Sequence, residues 1–277
     1  MLAVSNGRTI LPDRSQAKMY LLCSNAHLLL VHRNPTSPLF FKEYIMEVTI
    51  YDTPNTMKIF LDTADTQEIK DGYDTGLIDG VTTNPSLIMK SGRDPEEVYQ
   101  ELIDYGIPDI SMEVVGSDEV MLAEGRRLAN KFGKNATIKV PCTPEGLWVC
   151  KQLSRELIRV NVTLIFSPAQ AILSAKAGAK YVSPFVGRVD DNSFGGLCLI
   201  KDIANIYCTQ NIHTEILGAS IRNVRDVGRA FEYGANICTI PPNVFEGMYK
   251  HILTDKGLEL FDEAWASVQQ VHAPTNI

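Results

Sequence analysis

The chain has 277 residues, 45% hydrophobic and 21% charged, a composition typical of globular proteins that excludes disorder, collagen and coiled coil. Its formal net charge of −7 argues against a nucleic-acid binder, and its apolar runs fall short of the roughly 18–20 residues of a membrane span. The six cysteines include no C-x-x-C pair, so we expect reduced thiols in the cytoplasm rather than a zinc site or a disulfide scaffold.

Residues 1–56 differ from the rest of the chain. They have weak periodicity and scattered prolines, and polar residues interrupt the apolar stretch from Met19 to Val31. The segment lacks the apolar core of a secretory signal and is only faintly basic, unlike a transit peptide. Because Met57 stands directly before a clear strand pattern, we expect an N-terminal extension of unknown role, poorly ordered or not native, followed by one domain over residues 57–277.

From Met57 onward, short β-branched runs alternate with longer helical segments. The sequence predicts eight strands, at Lys58–Asp62, Gly80–Thr83, Asp109–Val115, Thr137–Val140, Val160–Ile165, Tyr181–Pro184, His213–Leu217 and Asn236–Ile240. Eight strand–helix units within about 200 residues predict an α/β fold, a single closed (β/α)₈ TIM barrel. The rival fold, a doubly wound nucleotide-binding sheet, would show a G-x-G-x-x-G or Walker loop after an early strand, and the chain has neither.

The helix ends carry recognisable signals. Asp94, Thr143 and Ser167 are each followed by proline, and a capping residue before proline predicts the start of a helix. A final helix over Gly257–Val271 lies beyond the eighth unit. We expect it to pack over the barrel or against another subunit.

The candidate reactive group is a lysine on the predicted fourth strand. Active groups of such barrels lie at the carboxyl ends of the strands, and alternation along Thr137-Ile138-Lys139-Val140 points Lys139 toward the barrel axis. Desolvation lowers the pKa of a buried lysine, and such an amine forms Schiff bases with carbonyl substrates. The alternatives are a lysine that reaches solvent from a frayed strand end, or one whose charge a neighbouring carboxylate matches.

Other predicted strands bring polar residues to the same end of the barrel. Asp62 ends the first strand and Glu113 lies in the third; with Lys139 they form either an ion-pair network or the proton-transfer groups that imine chemistry requires. The further polar residues at this end are Thr82, Asn84, Asn161, Thr163 and Ser183. Each taken singly fits an ordinary hydrogen-bonded core position, whereas so many at one end favour a reaction site.

The segment from Gly218 to Arg222 predicts an anion site. A small-residue turn that runs into a helix exposes backbone N–H groups and the positive end of the helix dipole. Ser220 and Arg222 add a hydroxyl and a charged fork, and Arg188, after the sixth strand, could reach the same ligand. The alternative is a serine that only caps a helix beside a solvated arginine.

Six motifs occur in order along the chain. They are Leu61-Asp62-Thr63, Val81-Thr82-Thr83-Asn84-Pro85-Ser86, Ile138-Lys139-Val140-Pro141, Asn161-Val162-Thr163-Leu164-Ile165-Phe166-Ser167, Ser183-Pro184-Phe185-Val186-Gly187-Arg188 and Gly218-Ala219-Ser220-Ile221-Arg222. Together they resemble the small transaldolase and fructose-6-phosphate aldolase family. The resemblance begins at Met57 and leaves the first 56 residues unmatched.

The resemblance implies a class I, metal-free Schiff-base mechanism without a cofactor. Lys139 would form an imine with a ketose phosphate (sedoheptulose 7-phosphate or fructose 6-phosphate), and Asp62 would remove a hydroxyl proton as a carbon–carbon bond breaks. The dihydroxyacetone unit left on Lys139 would pass to an aldose phosphate, glyceraldehyde 3-phosphate or erythrose 4-phosphate. The further implied roles are a proton-shuttling water held by Glu113 and Thr163, donor binding by Thr82, Asn84, Asn161, Ser183 and Phe185, and phosphate binding by Arg188, Ser220 and Arg222.

The family contains two activities. The resemblance implies that its aldolase members have Gln where Glu113 stands and Tyr where Phe185 stands, and that this tyrosine helps water release free dihydroxyacetone. Phenylalanine carries no such proton, which favours a transaldolase of the pentose phosphate pathway, with fructose-6-phosphate aldolase as the alternative. The resemblance also implies a homo-oligomeric ring, a pentamer or decamer, whose other partners are sugar phosphates rather than nucleic acid or membrane.

Two hypotheses from other classes remain. A phosphosugar-binding barrel without catalysis is disfavoured by the presence of both Lys139 and Asp62. A phosphosugar isomerase that uses a carboxylate base without an imine would leave Lys139 unexplained.

Overall fold

The structure is a computed structural model that describes residues 57–271 and four short strands before them, with side chains described for residues 57–268. The chain divides into two compact units, Met1–Asn55 and Thr56–Ile277. Among the described residues, no helix combines the length and the hydropathy that crossing a membrane requires.

The first unit contains two small antiparallel sheets. One pairs β1 (Ala3–Ser5) with β2 (Arg8–Ile10), and the other pairs β3 (Met19–Ser24) with β4 (His27–His32). The weak periodicity of this region predicts none of these strands. Whether residues 1–56 are poorly ordered or not native stays a prediction, because most of them lie outside the described residues.

The second unit is a closed barrel of eight parallel strands, which confirms the predicted fold class. The strands are β5 (Lys58–Asp62), β6 (Gly80–Thr82), β7 (Ile110–Glu113), β8 (Ala136–Pro141), β9 (Val160–Ile165), β10 (Tyr181–Pro184), β11 (Glu215–Gly218) and β12 (Ile237–Ile240). Neighbours in sequence pair with each other, and β12 closes the barrel by pairing with β5. β5, β9 and β10 have the predicted bounds, and the other strands differ by a residue or two at their ends, the usual variation.

Helices follow the barrel strands and form the outer layer. They are α1 (Thr66–Asp74), α2 (Pro85–Ser91), α3 (Pro95–Asp104), α4 (Asp118–Phe132), α5 (Pro144–Arg155), α6 (Pro168–Ala177), α7 (Val186–Asp191), α8 (Gly196–Gln210), α9 (Val224–Glu232), α10 (Pro242–Gly247) and α11 (Ile252–Val271). The predicted caps are confirmed: Asp94, Thr143 and Ser167 accept backbone N–H bonds at the starts of α3, α5 and α6.

The last helix begins earlier than the sequence predicts. α11 begins at Ile252 rather than at Gly257. At this end, Nδ1 of His251 accepts a hydrogen bond from the backbone N–H of Leu253 at 3.2 Å, so His251 takes the place of a cap. Histidine is not among the usual capping residues, which is why the sequence pattern did not mark this start.

Alternation along the strands divides the buried residues between two cores. Phe60 and Leu61, neighbours on β5, lie in different cores. Leu61 belongs to the larger core between the strands and the helices. The smaller core fills the barrel interior with Phe60, Tyr181, Leu217, Ala219 and Ile237.

Buried charges at the amino-terminal ends of the strands are paired. The carboxylate of Asp109 accepts a hydrogen bond from Thr137 Oγ1 at 2.7 Å and from Arg159 Nη1 at 2.9 Å. Lys58 Nζ lies 3.1 Å from Oε2 of Glu215. Buried carboxylates are tolerated when they are bonded in this way, so this end of the barrel is closed by satisfied ion pairs.

β9 contains a bulge near its carboxyl end. Its register with β10 shifts between Val182 and Pro184, and Leu164 adopts the left-handed backbone conformation with φ 59°. Strict alternation would place Leu164 in the outer core, whereas Ile165 lies there instead. The extra residue re-aims the end of the strand, so the period-two alternation of β9 ends at Thr163.

Candidate active site

A cavity of about 100 Å³ opens at the carboxyl ends of the barrel strands. The residues that line it are Asp62, Thr82, Asn84, Lys139, Thr163, Ser183, Phe185, Arg188, Leu217, Ala219, Ser220 and Thr239. All of the predicted site residues are among them except Glu113, Asn161 and Arg222. The structure therefore brings most of the predicted site together at the predicted end of the barrel.

Lys139 is buried near the end of β8, with 5% of its surface exposed. Its Nζ lies 3.0 Å from Oε2 of Glu113 and donates a hydrogen bond to the carbonyl oxygen of Thr83 at 3.0 Å. The register of β7 with β8 sets Glu113 directly beside Lys139. The lysine thus does not reach out to solvent, and a neighbouring carboxylate matches its charge, as the second alternative from the sequence has it.

Asp62 ends β5 and accepts a hydrogen bond at Oδ1 from Thr82 Oγ1 at 2.8 Å. Burial raises the pKa of Asp62 above its ordinary value, while the charge of Lys139 and the bond from Thr82 lower it. A carboxyl whose pKa is raised exchanges its proton closer to neutral pH, as a general acid–base requires. Asp62 therefore has the position and the environment of a proton-transfer group.

Thr163 presents a hydroxyl that has no partner among the described residues. Its Oγ1 is buried and makes no hydrogen bond with any of the described residues. An unmade bond of this kind costs about 1–3 kcal/mol. Because Thr163 lines the cavity, its hydroxyl suits a contact with a molecule bound there.

Two asparagines hold neighbouring parts of the site in place. Asn161 lies behind the cavity wall, donates to Ser111 Oγ at 3.2 Å and accepts from Ser183 Oγ at 2.7 Å. It therefore orients Ser183, which does line the cavity. Asn84 lines the cavity itself, and its Oδ1 accepts the backbone N–H of Leu87 at 3.0 Å as the cap of α2.

The mouth of the cavity is aromatic and cationic. The guanidinium carbon of Arg188 lies 4.8 Å from the centroid of the Phe185 ring, and Phe166 packs edge-on against the same ring at 5.8 Å. Such contacts fix a ring between its neighbours. Phe185 is held at the cavity wall and offers no donor or acceptor there.

The structure places the two polar side chains of the predicted anion segment in different surroundings. Ser220 has a left-handed backbone with φ 57° and lines the cavity. Arg222 instead makes a two-pronged ion pair with Asp191, with both N–O distances 2.5 Å, and does not line the cavity. Asn223 caps α9, so the alternative of Ser220 as a plain helix cap is wrong.

Three residues of the cavity wall were not predicted from the sequence: Leu217, Ala219 and Thr239. Thr239 follows the same alternation as the other strands, since Ile237 two residues earlier lies in the inner core, and the rule of inward polar residues at strand ends would have found it. Leu217 and Ala219 are apolar, and nothing in their sequence separates them from ordinary core residues.

Comparisons of the sequence with known proteins point to one family. Residues 59–275 match the family described as Transaldolase/Fructose-6-phosphate aldolase. The chain is 53% identical over 215 residues to a "Probable transaldolase" of Caulobacter vibrioides, a match that covers 77% of this chain and 99% of the relative. Proteins with the same description from Paracoccus denitrificans (51% over 215 residues; 77% and 99%) and Geobacter sulfurreducens (52% over 213 residues; 76% and 99%) are similar to it as well.

Proposed function

The chain belongs to the transaldolase/fructose-6-phosphate aldolase family, and we propose that it is a transaldolase acting through a Schiff base on Lys139. It moves a dihydroxyacetone unit from sedoheptulose 7-phosphate or fructose 6-phosphate to glyceraldehyde 3-phosphate or erythrose 4-phosphate. The observation that carries the proposal is the buried amine of Lys139, 3.0 Å from Glu113, in one cavity with Asp62.

In the first step, Lys139 attacks the ketone of the donor. Glu113 Oε2 takes a proton from Nζ, the amine adds to the carbonyl carbon, and loss of the former carbonyl oxygen as water leaves a protonated imine. The Thr163 hydroxyl, which no described residue bonds, is suited to hold the water that carries protons in this step. A covalent intermediate of this kind divides one difficult reaction into two easier ones.

In the second step, Asp62 accepts the proton of the donor C4 hydroxyl. The bond between C3 and C4 breaks, its electron pair moves into the imine to form an enamine, and the shortened aldose phosphate leaves. The enamine then attacks the aldehyde carbon of the acceptor, and Asp62 returns its proton to the new hydroxyl. Hydrolysis of the imine frees the product and Lys139.

Cationic and hydroxyl groups at the mouth support binding of the phosphate. Ser220 and Arg188 line the cavity, and a guanidinium matches phosphate oxygens well. Arg222 is held by Asp191 beside this region, so its contribution requires that the phosphate share or displace the carboxylate. Local positive charge of this kind serves an anionic sugar although the net charge is −7.

The alternative within the family is a fructose-6-phosphate aldolase that releases free dihydroxyacetone. Phe185 disfavours it, because the ring at the cavity wall has no proton to give to the water that would release the enamine. With fructose 6-phosphate alone we expect no continuing formation of dihydroxyacetone, and with erythrose 4-phosphate added we expect sedoheptulose 7-phosphate. Steady release of dihydroxyacetone without an acceptor would overturn the proposal in favour of the aldolase.

The variant Phe185→Tyr is expected to raise acceptor-free release of dihydroxyacetone by about tenfold or more, since a positioned proton donor contributes about 10²–10⁴-fold. The assay is coupled detection of free dihydroxyacetone. Phe166→Tyr is the matched control, because Phe166 touches the Phe185 ring but does not line the cavity. An equal increase in both variants would contradict the role of Phe185.

The exposed face of α11 supports the proposal that the enzyme is a homo-oligomer. Leu258, Phe261, Trp265 and Val268 recur at helical spacing, and 72% of Phe261 and 65% of Trp265 are exposed in the single chain. Apolar patches of this kind mark interaction sites. A second copy of the chain is the partner that we propose, with ring assembly as the expected arrangement.

The double variant Phe261→Glu with Trp265→Glu is expected to lower the particle mass, measured by light scattering after size exclusion, because two carboxylates would be placed in the apolar contact. Ala266→Glu adds a carboxylate to the polar face of α11, beside Asp262 and Glu263, and should leave the mass unchanged. A wild-type protein that elutes as a monomer, or a double variant of unchanged mass, would contradict this interface.

We further propose that the enzyme works in the cytoplasm. The described cysteines, Cys142, Cys150, Cys198, Cys208 and Cys238, form no disulfide with one another. Free thiols are typical of reducing compartments. Burial raises the pKa of Cys150 to about 11 and that of Cys238 to about 12, so these two thiols serve as core side chains.

A further inference from the structure

A chain of two hydroxyls leads from β12 to the carboxylate of Asp62. Thr239 on β12 and Thr82 on β6 lie on either side of β5, and their Oγ1 atoms are 2.6 Å apart. Thr82 Oγ1 in turn lies 2.8 Å from Oδ1 of Asp62. Each threonine has 2% of its surface exposed, so water does not readily replace either contact.

The direction of the protons follows from the chemistry of the three groups. A hydroxyl has one proton to donate, and the carboxylate of Asp62 is a stronger acceptor than a neutral hydroxyl. Thr82 therefore donates to Asp62, and Thr239 must be the donor in its contact with Thr82. Hydrogen bonds in such a chain polarise one another, so the bond from Thr239 strengthens the bond from Thr82.

We propose that Thr239 is a positioning residue that, by donating to Thr82, keeps the Thr82 hydroxyl directed at Asp62 and sets the strength of Asp62 as the base of the bond-cleaving step. The inference rests on the proposed function, because that function assigns Asp62 its proton transfer. It goes beyond that function in placing part of the control of Asp62 on the last barrel strand, in a residue that does not touch the carboxylate.

Few other groups compete for control of Asp62. Lys139 on β8 faces it and lowers its pKa, and Arg188 of α7 lines the same cavity. On the helices packed near β5, Glu68 of α1 accepts a hydrogen bond from the hydroxyl of Thr63. Glu246 of α10 is exposed. With burial acting in the opposite direction, the bond from Thr82 is one of two influences that keep the pKa of Asp62 from rising further.

The test compares Thr239→Val, which keeps the shape and removes the hydroxyl, with Thr239→Ser, which restores it. For Thr239→Val we expect kcat to fall about 2- to 10-fold, the effect of one hydrogen bond, and the acid limb of the kcat/KM profile to move to higher pH. Thr239→Ser should return both values to those of the wild type. In a Thr82→Val background, Thr239→Val should add no further loss, because the two changes interrupt the same chain.

Thr137→Val is the matched control. Thr137 also donates to a buried aspartate, Asp109, at 2.7 Å, but at the opposite end of the barrel. The Thr137→Val variant should have a lower melting temperature and an unmoved pH profile. If Thr239→Val does not fold, Thr239→Cys, with a weakly donating thiol, should show the same shift in the profile.

An unmoved profile in Thr239→Val and Thr239→Cys would overturn the inference, as would equal shifts in Thr137→Val or a Thr239→Ser protein that stays impaired. Borohydride trapping of fructose 6-phosphate on Lys139 distinguishes this failure from failure of the proposed function. If trapping is intact and the profile does not move, only the role of Thr239 is wrong. If the wild-type protein forms no adduct, the proposed function fails and this inference fails with it.

Discussion

Replacement of Lys139 with methionine is expected to slow transfer from fructose 6-phosphate by about 10⁴-fold or more, because the variant has no amine to form the covalent intermediate. Borohydride should trap a six-carbon or three-carbon adduct on Lys139 of the wild-type protein, detected by peptide mass spectrometry, and none on the variant. Since the change also leaves the buried Glu113 without its partner, Lys139→Arg serves as a second variant. It keeps a positive charge beside Glu113 but cannot form the imine.

Lys58→Met provides the control. Lys58 also lies on a barrel strand and also contacts a glutamate, Glu215, at 3.1 Å, but it is at the end of the barrel away from the cavity. Glu215 retains a second ion pair with Lys180. The Lys58 variant should keep both the adduct on Lys139 and its kcat, even if its melting temperature falls.

Three results would contradict a Schiff base on Lys139. Turnover that survives in both Lys139 variants would favour an isomerase-like reaction that uses a carboxylate base without an imine. An absence of both adduct and turnover with any ketose phosphate in the wild-type protein would favour a barrel that binds phosphosugars without catalysis. An adduct on a different lysine would place the reaction elsewhere.

The barrel fold could be predicted from the sequence because the same local signals repeat in every strand–helix unit. β-branched runs, cap residues before proline and alternating burial all describe short-range structure, and β5, β9 and β10 were predicted with the bounds they have. The signals failed where the backbone departs from regular geometry. Left-handed Leu164 adds a residue to β9, and no residue type there marks the bulge, because leucine is not favoured in that conformation.

The site residues could be predicted where their position at a strand end determines that they face the cavity. Inward polar residues at strand ends are visible as a pattern in the sequence, and most of them do line the cavity. What the pattern could not give is how side chains pair across strands. The ion pair of Arg222 with Asp191 and the placement of Asn161 behind Ser183 depend on side-chain directions set by tertiary contacts.

The variant Asp62→Asn is expected to lower kcat by about 10²–10⁴-fold and at the same time to raise the melting temperature at pH 7. The amide can still accept the hydrogen bond from Thr82. Because it is uncharged, its burial does not carry the cost of removing water from a charge. Because burial raises the pKa of Asp62 in the folded protein, the ionised carboxylate costs folding free energy at neutral pH. Each kcal/mol regained would raise the melting temperature by about 2–4 °C in a domain of this size.

The pH dependence of this stabilisation has a definite sign. A carboxyl whose folded pKa is raised is protonated in both states at low pH, so the cost is absent there. It develops as pH rises from the ordinary aspartate pKa of about 3.9 through the raised folded value. The difference in melting temperature between Asp62→Asn and wild type should therefore be largest near pH 7 and shrink toward about pH 4, which calorimetry at a series of pH values would show.

Asp109→Asn is the comparison that separates a destabilising catalytic carboxylate from a structural one. Asp109 is buried, but it accepts hydrogen bonds from Thr137, Tyr181 and Arg159, and its charge is matched by the guanidinium. Loss of that charge should lower the melting temperature and leave kcat unchanged, the opposite of the result at Asp62 in both measurements. If Asp62→Asn were instead to lower the melting temperature, Asp62 would be a structural anchor of the barrel; if its kcat were unaffected, the base would be another group.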